Sequence, residues 1–421
     1  MWTGCLLACL GMRSGRAEID RTPYPASPEI KGLQVQMVDD AIALGVHHAA
    51  VNVNLAGLLV PDPAPGQPSL TVDGRTFGFD QAYAESLDGV IKPLSDRGIV
   101  VYLILITYRS ADPRIRELTI HPDADEATGT VMAADTVTAA GRSCYQALTE
   151  FIAARWSGTD SSHGRAWNWI VGNEIDSHFE WHQMGPATTE QVAEQYEEQV
   201  RLAWTSLRKH SAEARVLVSL DHHWTGRGHA DPLQACSGRS LLEAFASRAR
   251  ARGDFDWHVA HHPYPVDLFD PRVWQDPVGF DDDTATITFR NLEVLTRALD
   301  RPELRFNGEP RRISLTEQGF NVNQDPDGEL LQAAAYAYAW EKIRRLRGID
   351  AFIYHRHVDH SLEGGLRLGL WTNKPGSIAD PDRQRPIWRL FRAAGTPDWE
   401  AAARPFLETC GLATWDDVTA R

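Results

Sequence analysis

A chain of 421 residues is long enough for one large domain with extensions or for two smaller ones. Its 42 Lys and Arg against 57 Asp and Glu leave a formal charge of −15, which argues against an extended nucleic-acid partner, since phosphate binding needs clustered cations. No apolar run approaches the roughly 18 residues of a membrane helix, and 43% hydrophobic with 24% charged residues is an ordinary globular composition.

Cys5, Cys9, Cys144, Cys236 and Cys410 are scattered without CxxC spacing, which suggests neither a disulfide framework nor a cysteine zinc site. Leu6-Leu7-Ala8-Cys9 looks like a lipoprotein cleavage site, yet no basic segment precedes it and its apolar stretch is short. A secreted, periplasmic or lipid-anchored location is expected only if the true start lies upstream, and a cytoplasmic one otherwise. Residues 1–28 read as an N-terminal extension and 29–421 as a single domain.

Along the chain, β-rich runs alternate with helical patterns. A helix over 32–44 implies a short strand just before it, near Glu29 to Lys31. Val46 to Asn54 follows as a strand. Gln81 to Asp96 has Leu87, Val90, Ile91 and Leu94 at helical spacing. Ile99 to Ile106 is a continuous apolar run, as expected of a parallel strand buried on both faces. Helices are then expected at 136–156, 188–210, 240–252, 289–299, 330–347 and 384–393. Strands are expected at 167–174, 215–220, 255–261, 312–316 and 350–354. Such alternation implies a parallel sheet with helices outside it. GxGxxG and GxxxxGK[ST] are absent. Eight units of this length fit a (β/α)8 TIM barrel with long loops at the C-terminal face of the strands.

In that fold the chemistry gathers where strands end. Asn54, Arg109, Asn173, Glu174, Asp221, His223, Trp224, His262, Tyr264, Glu317, Gln318, His355, Arg356 and His357 all follow expected strand ends, with Trp371 further on in the last loop. Glu174 follows the fourth strand and Glu317 the seventh. Strand alternation puts Asn168, Ile170, Gly172 and Glu174 on one face, and Ile313, Leu315 and Glu317 on one face. Both glutamates are thus expected to face the barrel axis, with Gly172 leaving space for a ligand or a neighbouring side chain. Paired carboxylates there suit glycosidic bond cleavage, because one negative charge raises its neighbour's pKa and separates an acid from a nucleophile. Fourteen tryptophans would serve a sugar-binding cleft, since pyranose faces stack on indoles.

The strand-four ending Asn173-Glu174 and the strand-seven ending Glu317 resemble those of the clan-A glycoside hydrolases, the 4/7 superfamily of retaining TIM-barrel glycosidases. NVNLAGLL, LSDRGIVVYLIL, WNWIVGNE, VSLDHHW, HHPYP and LTEQGF are more closely similar to a related bacterial family catalogued as a domain of unknown function. The resemblance implies Glu174 as acid/base, Glu317 as nucleophile, Asn173 on the sugar 2-hydroxyl, Tyr264 donating to Glu317, and His262 on the same wall. It implies a carbohydrate substrate and no cofactor. Where many clan members have a tryptophan after strand eight, this chain has Tyr354-His355-Arg356-His357.

Two alternatives stand beside this reading. His222-His223, His261-His262, and His355, His357, Asp359 and His360 are ligand types for a metal-dependent barrel hydrolase. However, His47-His48 are adjacent and lack the His-x-His of a first-strand metal site. A non-catalytic carbohydrate-binding barrel would be favoured had either glutamate been missing. Arg109, Arg356 and Arg367 suit an acidic or sulfated sugar, or pairing with loop acids.

Overall fold

Eight short apolar runs become strands that pair only with parallel neighbours, and the last closes on the first. The computed structural model describes residues 18–419, so Cys5, Cys9 and the lipoprotein-like stretch lie outside the described residues. In chain order the repeating elements are β1 (Lys31–Gln34), α1 (Val38–Ala43), β2 (His48–Asn54) and α2 (Gln81–Ser95). They continue with β3 (Val100–Ile106), α3 (Ala139–Trp156), β4 (Asn168–Val171) and α4 (Thr189–Arg208). Then come β5 (Arg215–Leu220), α5 (Gly238–Ala251), β6 (Trp257–His261) and α6 (Glu293–Leu299). The series ends with β7 (Ile313–Leu315), α7 (Gly328–Ile343), β8 (Ile349–Tyr354) and α8 (Pro386–Ala393). The strands form one closed barrel, sealed where Leu33 of β1 pairs with Tyr354 of β8. This is the expected (β/α)8 TIM barrel.

Strand alternation divides the apolar residues between two cores. Val53, Leu103, Leu105, Trp169, Val171, Val218, Val259, Leu315 and Phe352 face outward and are buried with the helices. Ala50, Tyr102, Ile104, Ile170, Leu217, Ala260, Ala351 and Ile353 face inward and fill the tube. Such inner layers make the barrel a packed core with chemistry only at its ends. Helix starts are fixed by side-chain oxygens: Asp80, Thr138, Thr188 and Ser237 each accept a backbone N–H in the first turn.

β4 departs from the expected strand. It ends at Val171, and Gly172 turns the chain with φ +71°. A Cβ at Gly172 would lie 2.8 Å from Ile175 Cδ1 and 2.9 Å from His182 Nδ1, so the glycine makes room for the protein's own packing and none for a ligand. Glu174 itself adopts a left-handed backbone, φ +42° and ψ +59°. Its orientation comes from this turn rather than from alternation.

Loop structure is richer than expected. Leu59–Val60, Ser69–Val72 and Arg75–Phe79 make a small sheet between β2 and α2, where no element was expected. Trp371–Asn373 and Pro381–Gln384 pair after β8, and a helix Pro113–Thr119 follows β3. At the opposite end, the segment before β1 crosses the barrel floor. Asp20 pairs with Ser211, and the Arg215 guanidinium lies 3.7 Å from the Tyr24 ring centroid. Among the described residues no helix is long and apolar enough to cross a membrane.

Candidate active site

Glu174 and Glu317 approach one another at the C-terminal mouth of the barrel. One oxygen of each and one ring nitrogen of His262 all lie within 4.8 Å of one another. The turn that presents Glu174 is anchored from β5: its backbone N–H donates to Ser219 Oγ at 2.9 Å. The Tyr196 hydroxyl of α4 braces the same wall, donating to the Val171 carbonyl at 2.6 Å and accepting from the Ser219 N–H at 3.0 Å. His262, just past β6, bonds Glu174 Oε1 through Nδ1 at 2.9 Å and Thr316 Oγ1 through Nε2 at 3.1 Å. Tyr264 donates its hydroxyl to Glu317 Oε1 at 3.2 Å.

The electrostatics follow from burial. Burial pushes the Glu174 carboxyl up; the bond and charge of His262 pull it back, while Asp221 and Glu317 push it further, and the net shift is upward. Burial opposes a charge on His262, but the bond to Glu174 and the charges of Glu317, Glu174 and Asp221 outweigh it and raise its pKa. Burial and then the Glu317 charge hold the Tyr264 hydroxyl far above its usual pKa, so it remains a donor.

A second cluster sits behind Glu174. Asp221 accepts from the His223 backbone at 2.6 Å, from its Nδ1 at 2.9 Å, and from the Ser177 hydroxyl. Its own N–H donates to Asp176 Oδ1 at 2.9 Å. Burial, then the Asp221 charge, raise the Asp176 carboxyl well above the carboxylate range. Burial works against ionisation of Asp221 too, but the bond and charge of His223, with Asp176 and His222, together prevail and lower it. The two neighbouring acids are thus driven in opposite directions, Asp176 toward the protonated form and Asp221 toward the ionised one. Trp224 is buried and donates to the Asp282 carbonyl at 3.1 Å, which secures the loop.

Across the mouth, Glu363 accepts from His355 Nε2 and from Arg356, each at 2.6 Å. His355 Nδ1 meets Gln34 Oε1, and Gln34 in turn donates to Asn52 Oδ1 at 3.0 Å. Against the cost of burial, His355 and Arg356 hold the Glu363 carboxyl at about 2. The charges of both Glu317 and Arg356 reach Tyr108, which places that exposed side chain on this rim.

Several of the remaining candidates have polar partners other than the glutamate pair. His357 donates from Nε2 to Asp40 at 2.8 Å, and Trp371 Nε1 donates to the same carboxylate at 2.9 Å. Gln318 is buried in the wall, donating to the Ile353 carbonyl at 2.5 Å. Arg109 pairs with Glu126 at 3.8 Å. Arg367 bonds the carbonyls of Val322 and Asn323, and Arg356 pairs with Glu363, so the loop arginines have internal partners. Asn54 accepts from the Tyr108 N–H at 3.2 Å. Asn173 is buried beside Glu174.

Sequence reasoning missed Gln34, Asn52, Tyr108 and Asp176 as members of one mouth, whereas Glu363, in the EGGLRLGLW segment, reads from sequence as a loop acid able to reach the cleft. Asn52 and Tyr108 had a signal, since alternation in VNVN and the end of the ILITY run both put polar groups at the rim. The histidine pairs do not converge. Among the described residues the group of His, Cys, Asp and Glu at metal-ligand spacing is Glu174, His262 and Glu317. His261 is buried away from this group, and burial drives its pKa down to about 3.

The closed parallel barrel thus carries one glutamate after its fourth strand and one after its seventh, both at its mouth. The sequence matches, over residues 23–418, the model described as "Family of unknown function (DUF5722)", and the chain belongs to that family. No curated protein sequence matches it. Among solved structures it is similar to a family 39 glycoside hydrolase from Bacteroides cellulosilyticus WH2. The TM-score there is 0.53 and the identity 14%, over 86% of this chain and 60% of that one, so the chain spans about three-fifths of that relative's length. It is also similar to a β-glucosidase from Pyrococcus furiosus, with TM-score 0.51 and 15% identity over 88% and 86% of the two chains. A glucosidase from Croceicoccus marinus gives TM-score 0.52 and 13% identity over 89% and 69%.

Proposed function

We propose that this protein is a retaining glycoside hydrolase in which Glu317 is the nucleophile and Glu174 the general acid/base. The observation that supports it best is the approach of the two carboxylates, with oxygens within 4.8 Å at the mouth of a parallel barrel. Retaining glycosidases hold their carboxyl groups about 5–5.5 Å apart, whereas inverting enzymes leave a wider gap for water.

In the first step a Glu317 oxygen bonds to the anomeric carbon as the bond to the leaving oxygen breaks, and Glu174 gives that oxygen its proton. The raised pKa of Glu174 suits this acid role. Tyr264 orients Glu317 and stays protonated while doing so. In the second step Glu174, now ionised, takes a proton from water as the water oxygen replaces Glu317 on the anomeric carbon. His262 supports the carboxylate formed between the steps, being bonded to its Oε1. Similarity to glycosidases of several families supports a carbohydrate substrate and leaves the sugar to experiment.

A panel of aryl glycosides and polysaccharides identifies the glycone. Glu317→Gln then loses turnover by more than about a thousandfold with its fold intact. Glu174→Ala recovers part of its activity on an activated aryl glycoside when azide is added, because azide needs no base. A Glu317→Gln protein as active as wild type would sink the proposal. The spacing of Glu174, His262 and Glu317 also admits a divalent cation as a second reading. On that reading exhaustive chelation abolishes activity, whereas the glycosidase mechanism survives it.

A further inference from the structure

After β5 the chain places Asp221, His222 and His223 beside Glu174, and the two steps above use none of their atoms. Three donors surround the Asp221 carboxylate, two of them from His223. An ionised carboxylate only accepts, so the His223 proton is fixed on Nδ1 and the Nε2 edge turns away from Asp221.

The ring is held from several sides. Gly238 donates to the His223 carbonyl at 3.0 Å, Ile287 to the His222 carbonyl at 2.8 Å, and Trp224 to the Ala285 carbonyl at 2.8 Å. The His222 ring packs against it at 4.4 Å between centroids. A Cβ at Gly228 would stand 2.7 Å from Ser177 Oγ and 3.5 Å from His223 Cε1, so the 225–237 loop also presses on this cluster. Yet the His223 side chain keeps 25% exposure against 7% for Asp221. Among the described residues its Nε2 has no hydrogen-bond partner. Rigid placement with one polar atom open is the arrangement of a preorganised ligand contact.

Position tells which part of a substrate that atom meets. β5 is the neighbour of β4, and Ser219 of β5 anchors the Glu174 backbone. The Glu174 charge reaches His223: burial opposes its protonation, and the bond to Asp221 and the charges of Asp221 and Glu174 overcome that. An acid/base lies against the glycosidic oxygen, so a group beyond it faces the departing half of the substrate.

The geometry points to His223 as the residue that binds the leaving-group sugar, with Nε2 hydrogen-bonded to one of its hydroxyls, so that the protein favours a glycosyl leaving group over an aryl or alkyl one. This rests on the glycosidase reading. A hydroxyl both donates and accepts, so it suits Nε2 whether the ring is neutral or protonated.

The test compares wild type, His223→Ala and His223→Gln on 4-nitrophenyl β-glucoside and cellobiose, or on the corresponding pair for the glycone identified by the panel. The ratio of kcat/KM for disaccharide to that for aryl glycoside falls about tenfold or more in His223→Ala. His223→Gln restores part of it, because its amide also donates and accepts, and circular dichroism checks the fold of each. An unchanged ratio in His223→Ala, with Glu317→Gln inactive on both substrates, overturns the role of His223 alone. A wild type that cleaves the aryl glycoside and leaves the disaccharide intact also overturns it. Activity of Glu317→Gln overturns the glycosidase reading beneath it.

Discussion

Glu174 owes its position to a left-handed backbone, a conformation costing about 1–2 kcal/mol for a residue with a side chain, and the Ser219 and Tyr196 bonds offset that strain. His262 then sets its acidity. The His262 bond and charge lower the Glu174 pKa against the burial that raises it, so removing them lets it climb. His262→Gln is expected to move the basic limb of the kcat/KM profile to higher pH, since the protonated acid persists longer, while the maximal rate falls. A pH–rate profile whose basic limb stays put or moves down would show that His262 does not tune the acid. The glutamates were legible as strand-end residues. The turn was not, because a Gly-Asn-Glu run reads equally as a strand terminus. Only the contacts of Gly172 with Ile175 and His182 reveal why the strand stops.

At the scale of elements, the loop after β8 is tied to α1. The Asp40 carboxylate accepts from His357, from Trp371 and, at 3.1 Å, from Trp388 of α8. The same loop bears Glu363, which clamps His355 and Arg356 at the mouth. Asp40→Ala leaves three donors without their acceptor and is expected to destabilise the fold by about 1–3 kcal/mol. Because the loosened loop bears the rim, KM should rise more than kcat falls. Urea denaturation and steady-state kinetics on one preparation check both; equal KM values with lowered stability would mean that the tie supports the fold alone. The eight repeats are legible because apolar runs and helical spacing alternate regularly. Asp40 and Trp371 are 331 residues apart, and no local pattern connects an acid on α1 to an indole after β8. Trp371, expected near the sugar, is a partner in this tie through its Nε1.

For the whole molecule, the charge pattern is less telling than the buried histidines. Burial holds His182 and His261 at about 3, and His48 and His222 at about 4, below the ordinary 6.5. Their pKa values are depressed on folding, so the stability they allow is complete above pH 6.5 and declines as the pH falls toward 4 and 3. Each such group costs up to about 1.4 kcal/mol per pH unit in that window. His223 and His262, with raised pKa values, act in the opposite direction and are outnumbered. The urea midpoint is thus expected to fall markedly between pH 7 and pH 5, and a midpoint that is flat or rising there would refute the balance.

The crossing of the barrel floor by residues 18–28 bears on where the folded unit begins. Tyr24 caps the tube by accepting from Asn168 at 2.9 Å beneath Arg215, while Arg165 pairs with Asp20. β1 opens only at Lys31, so a fragment trimmed to the first strand would keep every residue of the mouth and lose its stopper. Water would then reach Asn168 and Tyr102, in the lower part of the barrel, from the end opposite the glutamates. The segment from Asp20 to Tyr24 thus behaves as a cork for a vessel whose contents are at the other end.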